Sequence, residues 1–289
     1  TGPATRTINC GGKALIPGFV DSHCHVLAQV ASLQGIDCSP KTVSSIQDLE
    51  DVVRHWAETT QTGRWIRGFG YDDLSFLEKR HPTRWDLDRA APNHPVRLDH
   101  RSGHATVLNS LALNLVGIDA STPDPVEGVI DRDNATGELT GLLFEMAVYL
   151  RQRLGTSRDQ AVFQDYVHQL NNTLLGYGIT SVQDAGPDNG LERWQIFQGL
   201  QSSGALQCRV TMFAGASHVE EFQSAGLTWG AGDDQLRLGH AKIMLTLSTG
   251  ALEPNLEVLT ELVDNAHRAG FPVAIHAIEQ EAIASAIKA

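Results

Sequence analysis

The sequence predicts an α/β protein whose parallel sheet is of the TIM-barrel type. Short β-branched runs, "GITSVQDAG" (178–186), "LQCRVTMFAG" (206–215), "LRLGHAKIML" (236–245) and "FPVAIHAI" (271–278), recur at roughly the 30-residue period of a βα unit. They read as apolar runs rather than as alternation, as strands covered on both faces do. A doubly wound sheet shares that beat. However, no G-x-G-x-x-G follows any strand, and His23, His25 and His276 fall at strand C-terminal ends, where a barrel carries its chemistry.

Taken in order, "LIPGFVDSHCHV" (15–26) supplies strand one, over 14–24, with Leu15, Ile16, Phe19, Val20 and Val26 expected inside. Pro17-Gly18 divide it into a lead-in and a strand. The beat then fails from 27 to 157, a stretch too long for a βα connection without structure of its own. A helix over 45–60 and short strands in "RWIRGFGYDD" (64–73), "HPVRLDHRSGHATVLN" (94–109) and "GVIDRDNATGELTGLLFE" (128–145) make it an inserted α/β subdomain over the barrel mouth. Residues 1–26 are then the end of an N-terminal region plus strand one, 27–157 the insert, and 158–289 barrel strands two to five with their helices. An amphipathic helix from Arg158 to Tyr177 leads into strand two, and "LERWQIFQGLQ" joins strands two and three. Before strand five, "NLEVLTELVDNAHRAG" puts Leu256, Leu259, Val263 and Ala266 on one helical face and stops at Gly270.

Composition narrows the function. The 289 residues carry 22 Lys and Arg against 34 Asp and Glu, a net charge of −12, with no basic cluster to bind a phosphate backbone. Nucleic acid is therefore excluded as a partner. Four cysteines without C-x-x-C spacing point to a reduced, cytoplasmic setting. No apolar run reaches membrane-spanning length. The opening "TGPATRTINCGGK" lacks an initiator Met and reads as the interior of something longer.

Two features point to metal chemistry. In H-x-H, alternate strand side chains put His23 and His25 on one side with Asp21, about 7 Å apart at Cα, and Cys24 on the other, in the core. Two such imidazoles can converge on one ion. Lys242, inside "GHAKIML", sets an ammonium among Ile243, Met244 and Leu245, which is costly unless it is paired or modified. A lysine with a lowered pKa is a nucleophile, or adds CO2 to become a carbamate that suits divalent cations. A lysine snorkelling from a strand end is the competing account.

"LIPGFVDSHCHV", "GITSVQDAG", "AKIML" and "VAIHAI", in this order, resemble the metal-dependent amidohydrolase superfamily. "WIRGFGYDD", "HPTRWDLDRAAPNHPVRLDHRSGHATVLNSLAL" and "GELTGLLFE" are similar to its family 3 branch, which includes N-substituted formamide deformylase. The resemblance implies a (β/α)8 barrel of which this chain holds strands one to five. It implies metal ligation by His23, His25, Lys242 (as a carboxylated lysine) and His276, with Lys242 and His276 also in catalytic positions. It further implies one or two divalent ions, zinc first among them, and a small-molecule amide-type substrate. The superfamily's strand-six histidine and strand-eight aspartate have no counterpart before Ala289. "LTLSTG" departs from the branch's frequent Asp-Gly, and "HAIEQEA" from its H-A-I-G-D.

In the insert, His104 and Asn109 match the branch's G-H-x-x-x-x-N and are candidates for substrate contact, as are Asp72 and Glu145. Turn capping competes for Asp72 and Asp73. Asp184, at the end of strand two, is a further candidate, whereas His55, His168 and His267 sit on solvated helix faces. The expected reaction is hydrolysis of a C–N bond in an amide, formamide or cyclic amide by activated water. Deamination, ester or carbamate hydrolysis, and a non-catalytic scaffold on the same fold are the alternatives. A homo-oligomer is left open, and a membrane partner is not expected.

Overall fold

In the computed structural model, which describes residues 2–125, 128–154, 160–248 and 250–289, the chain forms two sheets. The first strand, β1 (Phe19–Cys24), is followed by α1 (Val26–Ser32), β2 (Ile36–Asp37), α2 (Ile46–Thr59), β3 (Ile66–Tyr71) and α3 (Arg84–Ala90). Next come β4 (Val96–His100), β5 (Ala105–Leu108), α4 (Ser110–Leu115), β6 (Val129–Arg132), β7 (Leu139–Phe144) and α5 (Ala147–Leu154). The rest is regular βα alternation: α6 (Gln160–Gly176), β8 (Ile179–Asp184), α7 (Leu191–Ser202), β9 (Arg209–Gly215), α8 (Val219–Ser224), β10 (Leu236–Met244), α9 (Leu256–Arg268), β11 (Val273–His276) and α10 (Gln280–Lys288).

The five-stranded sheet runs β1-β8-β9-β10-β11 with every pair parallel, so neighbours in space follow the chain's own order, as in part of a curled barrel wall. Its core lies between sheet and helices. Val182, Val210, Met212, Leu238 and Ile243 from the strands meet Val167 and Leu170 of α6, Trp194 and Phe197 of α7, and Leu259 and Ala266 of α9. Cys24 joins this layer, as the alternation requires, which turns His23 the other way. Gly270, at φ +78°, closes α9 where a side chain would be strained.

The six-stranded sheet, β2-β3-β4-β5-β7-β6, is built wholly from residues 36–144 and so separates β1 from β8 in the chain, although the two strands pair directly. Its first three strands are parallel and the rest antiparallel. Ser45 caps α2 by accepting from the Asp48 N–H, and the buried Leu49 and Val53 of that helix pack on Ile66 and Leu98. Arg151 of α5 pairs with Asp188 after β8 at 2.7 Å, tying the end of this segment to the parallel sheet.

Several expectations need correcting. Strand one begins at Phe19 rather than 14, since Pro17 has no N–H for a ladder; Leu15 and Ile16 lie exposed ahead of it, and Phe19 and Val20 are exposed on an edge strand. Only Val26 of that apolar set is buried. Leu256 is exposed at the first turn of α9. Arg158, and the expected boundary at 157, lie outside the described residues. His55, His168 and His267 are exposed, as expected; among the described residues no helix is long and apolar enough to cross a membrane.

Candidate metal centre

The C-terminal ends of β1, β10 and β11 bring four of the named residues together. At β1, the buried Asp184 of β8 accepts from the Val26 N–H at 2.7 Å, and the Ala185 N–H donates to the Cys24 carbonyl at 2.9 Å. These bonds fix where the chain turns out of the strand, so His25 stands beside His23 with ring centroids 5.5 Å apart. Asp184 is thereby a structural anchor, and the Asn189 amide donates to its other oxygen. Across the sheet, His276 lies edge-on to His23 at 6.2 Å. Lys242 pairs in register with Ala274, two residues before His276, so the two side chains share a face.

The electrostatics suit metal ligation better than ion pairing. His23 is exposed on the edge strand, yet partial desolvation pulls it below the usual imidazole range, the Lys242 ammonium adds to that, and Asp21 opposes it. His25 is lowered by burial, with His23, Lys242 and Arg193 adding and Asp184 opposing. His276 is lowered by burial, then by Lys242, His23 and His104, against Glu279. All three are held towards the neutral form that has a lone pair to give. Lys242 is 4% exposed and its pKa is lowered by desolvation. Among the described residues no carboxylate pairs with it. A buried cation facing three imidazoles and no counter-charge is unfavourable as an ammonium. It is well placed as a neutral amine or, after adding CO2, as an anionic ligand. The donor set therefore fits a divalent cation.

A second group comes from the inserted sheet. Glu145 follows β7 with φ +55°, and its Oε1 accepts from His104 Nδ1 at 2.8 Å and from Ser248 Oγ at 2.5 Å. Ser248 lies in the loop after β10, so this carboxylate spans the two sheets. In the same loop, the Leu247 N–H donates to Glu279 Oε1 at 3.3 Å. His104 is raised by its bond to Glu145, against burial, with the charges of Glu145 and Glu279 adding. Burial pushes Glu145 up, but the bonds from His104 and Ser248 outweigh it and leave it lowered. Ser248 and Glu279 were not singled out from the sequence. The only signal was that "LTLSTG" and "HAIEQEA" depart from the branch's usual residues at those two places.

Two residues expected at the substrate are placed elsewhere. Asn109 is fully buried: Oδ1 accepts from the Val96 and Ala112 N–H groups at 3.0 Å each, and Nδ2 donates to His94 O at 2.9 Å and Ala91 O at 3.4 Å. That is the amide's whole capacity, so it caps α4 and has nothing left for a ligand. Asp72 accepts from the Leu74 N–H and from Ser75 Oγ and faces Arg101 at 3.2 Å, which makes it a turn cap. Among the described residues, Asp72, Asp73 and His100 form the one group of three such donors all within 4.8 Å of one another. Here His100 Nδ1 meets Ser102 Oγ at 2.8 Å and the Ser102 N–H at 3.2 Å, and its buried Nε2 stands 3.1 Å from Asp73 Oδ1.

The family model described as "Amidohydrolase family" matches residues 6–289. N-substituted formamide deformylase of Arthrobacter pascens is 31% identical over 228 residues, 78% of this chain and 42% of that protein. Protein LONG AFTER FAR-RED 3 of Arabidopsis thaliana is 29% identical over 97% of this chain and 52% of its own length. Among solved structures, an uncharacterized metal-dependent hydrolase from Pyrococcus horikoshii OT3 superposes with a TM-score of 0.65 at 24% identity, over 94% of this chain and 55% of that one. That likeness speaks to the fold. The chain spans about half the length of these relatives. With a family match over nearly every residue, the chain belongs to the amidohydrolase family.

Proposed function

We propose that this chain carries the metal-binding part of a hydrolase that cleaves a C–N bond in an amide, N-substituted formamide or cyclic amide. The observation that carries this reading is the convergence of His23, His25 and His276 with an uncompensated, nearly buried Lys242 at one end of a parallel sheet. His23, His25, His276 and a carboxylated Lys242 would hold one or two divalent ions, zinc foremost. A bound ion would act as a Lewis acid on a carbonyl and lower the pKa of water. The protein's own part is to hold the three imidazoles towards the neutral form, through desolvation and the nearby Lys242 charge, and to aim the strand-one pair with the Asp184 anchor. It also brings His104 and Glu145 over from the inserted sheet, whose side of the site would help choose the substrate. The deformylase relative supports a formamide or amide.

The test uses the full-length protein that contains this chain: metal content by mass spectrometry, then hydrolysis of an amide, formamide, ester and amidine panel before and after chelation. Stoichiometric metal and chelator-sensitive amide cleavage are expected. A metal-free protein with unaltered folding and no hydrolysis would overturn the reading in favour of a non-catalytic scaffold.

A further inference from the structure

Glu145 and Ser248 hold His104 in a way that packing alone does not require. A carboxylate is acceptor-only, so the hydrogen at 2.8 Å belongs to His104 Nδ1, and this bond fixes the ring's orientation. Ser248, from the loop after β10, binds the same oxygen and ties that orientation to the barrel end rather than to the inserted sheet alone. Glu145 adopts φ +55°, a backbone state costly for a residue with a side chain, and its N–H donates to the His104 carbonyl at 2.9 Å. The carboxylate and the imidazole are thus held together by main chain and side chain. The His104 side chain is 34% exposed, and His276 and Glu279 lie near enough for their charges to act on or feel it. The second ring nitrogen, Nε2, has no protein partner among the described residues.

We infer that His104 is the proton donor to the leaving nitrogen, acting through Nε2, with Glu145 and Ser248 as its positioning residues. The inference rests on the hydrolase reading above and assigns a role within that site. As the C–N bond breaks, its electron pair goes to nitrogen and the Nε2 proton is transferred to it, so an amine leaves rather than an amide anion. The proton released when water adds to the carbonyl carbon restores the imidazolium. No other reagent is consumed. The charge of Glu145 at Nδ1 favours the imidazolium that this step needs.

Leaving-group dependence tests the assignment, because a donor matters only when the leaving group needs a proton. In the full-length, metal-loaded protein, His104→Asn can keep a donor to Glu145 but has no second ring nitrogen. For N-butylformamide, kcat/KM should fall by about 10²–10⁴. For 4-nitroformanilide, whose far less basic leaving nitrogen depends less on a donor, the loss should be smaller, below about tenfold, at unchanged metal content. Glu145→Gln should show the same pattern, weaker and mainly in kcat, and serves as the second variant should His104→Asn fold poorly. Equal losses on both substrates, or none on the alkyl formamide, would overturn the role. Chelation of the wild type reports separately on the metal reading. If chelation leaves the rate unchanged while the leaving-group pattern holds, the metal reading falls and the donor stands.

Discussion

Lys242 is costly to the fold, and that cost is informative. Its neighbours on one side of the strand, Ala241 and Ile243, are core residues, while its own side chain shares a face with His276. An ammonium there gains neither a carboxylate nor full hydration, and its lowered pKa follows from desolvation. A metal-binding carbamate, as proposed, would reverse the balance by turning a buried cation into a ligand anion. Lys242→Ala in the full-length protein should therefore reduce metal content and activity together. Loss of an outer partner alone costs about 10–100-fold in affinity or activity, and a lost ligand should cost at least that. Short carboxylates in the buffer should restore part of the activity. Metal analysis and rescue kinetics check this, and normal metal with full activity would make the lysine structural.

Among the elements, the short α4 shows how one polar residue is spent on architecture. Asn109 joins the α4 N-terminus, the start of β4 and the turn at His94, so an amide that matched a family motif is wholly engaged in backbone bonds. Asn109→Ala would strand buried N–H groups and should lower stability by about 1–3 kcal/mol. Metal content should not change. Urea denaturation with parallel metal analysis separates the two effects; an unmoved midpoint with weakened substrate binding would return Asn109 to the site. The H-x-H pair, the helix over 46–59 and the βα alternation after 178 were legible beforehand, because each is a local pattern of apolar spacing, capping and strand ends. The Glu145–Ser248 contact was not, since its partners lie far apart in sequence and meet only when two sheets dock.

For the whole molecule, the parallel sheet ends in two edges. β1 and β11 each have one neighbour, and Phe19 and Val20 on β1 are 56% and 59% exposed. Unpaired ladder groups beside exposed apolar side chains form a template for association. Residues 1–289 expressed alone should therefore self-associate with concentration, and sedimentation velocity would show it. The net charge of −12 opposes but does not remove that tendency. A monodisperse monomer at high concentration would mean that these edges are protected by some feature of the chain itself.

By itself the sequence determined the βα order, the H-x-H at a strand end, the inward Cys24 and the oddity of Lys242 among apolar residues. All of these depend on periodicity and on the local cost of burying a charge. Only the tertiary structure decided that Asn109 and Asp72 are caps, that Leu15, Ile16, Phe19 and Val20 meet solvent, and that Glu145 reaches Ser248 while holding His104. Capping, exposure and cross-sheet hydrogen bonding depend on which surfaces meet, and strand and helix spacing carry no record of that.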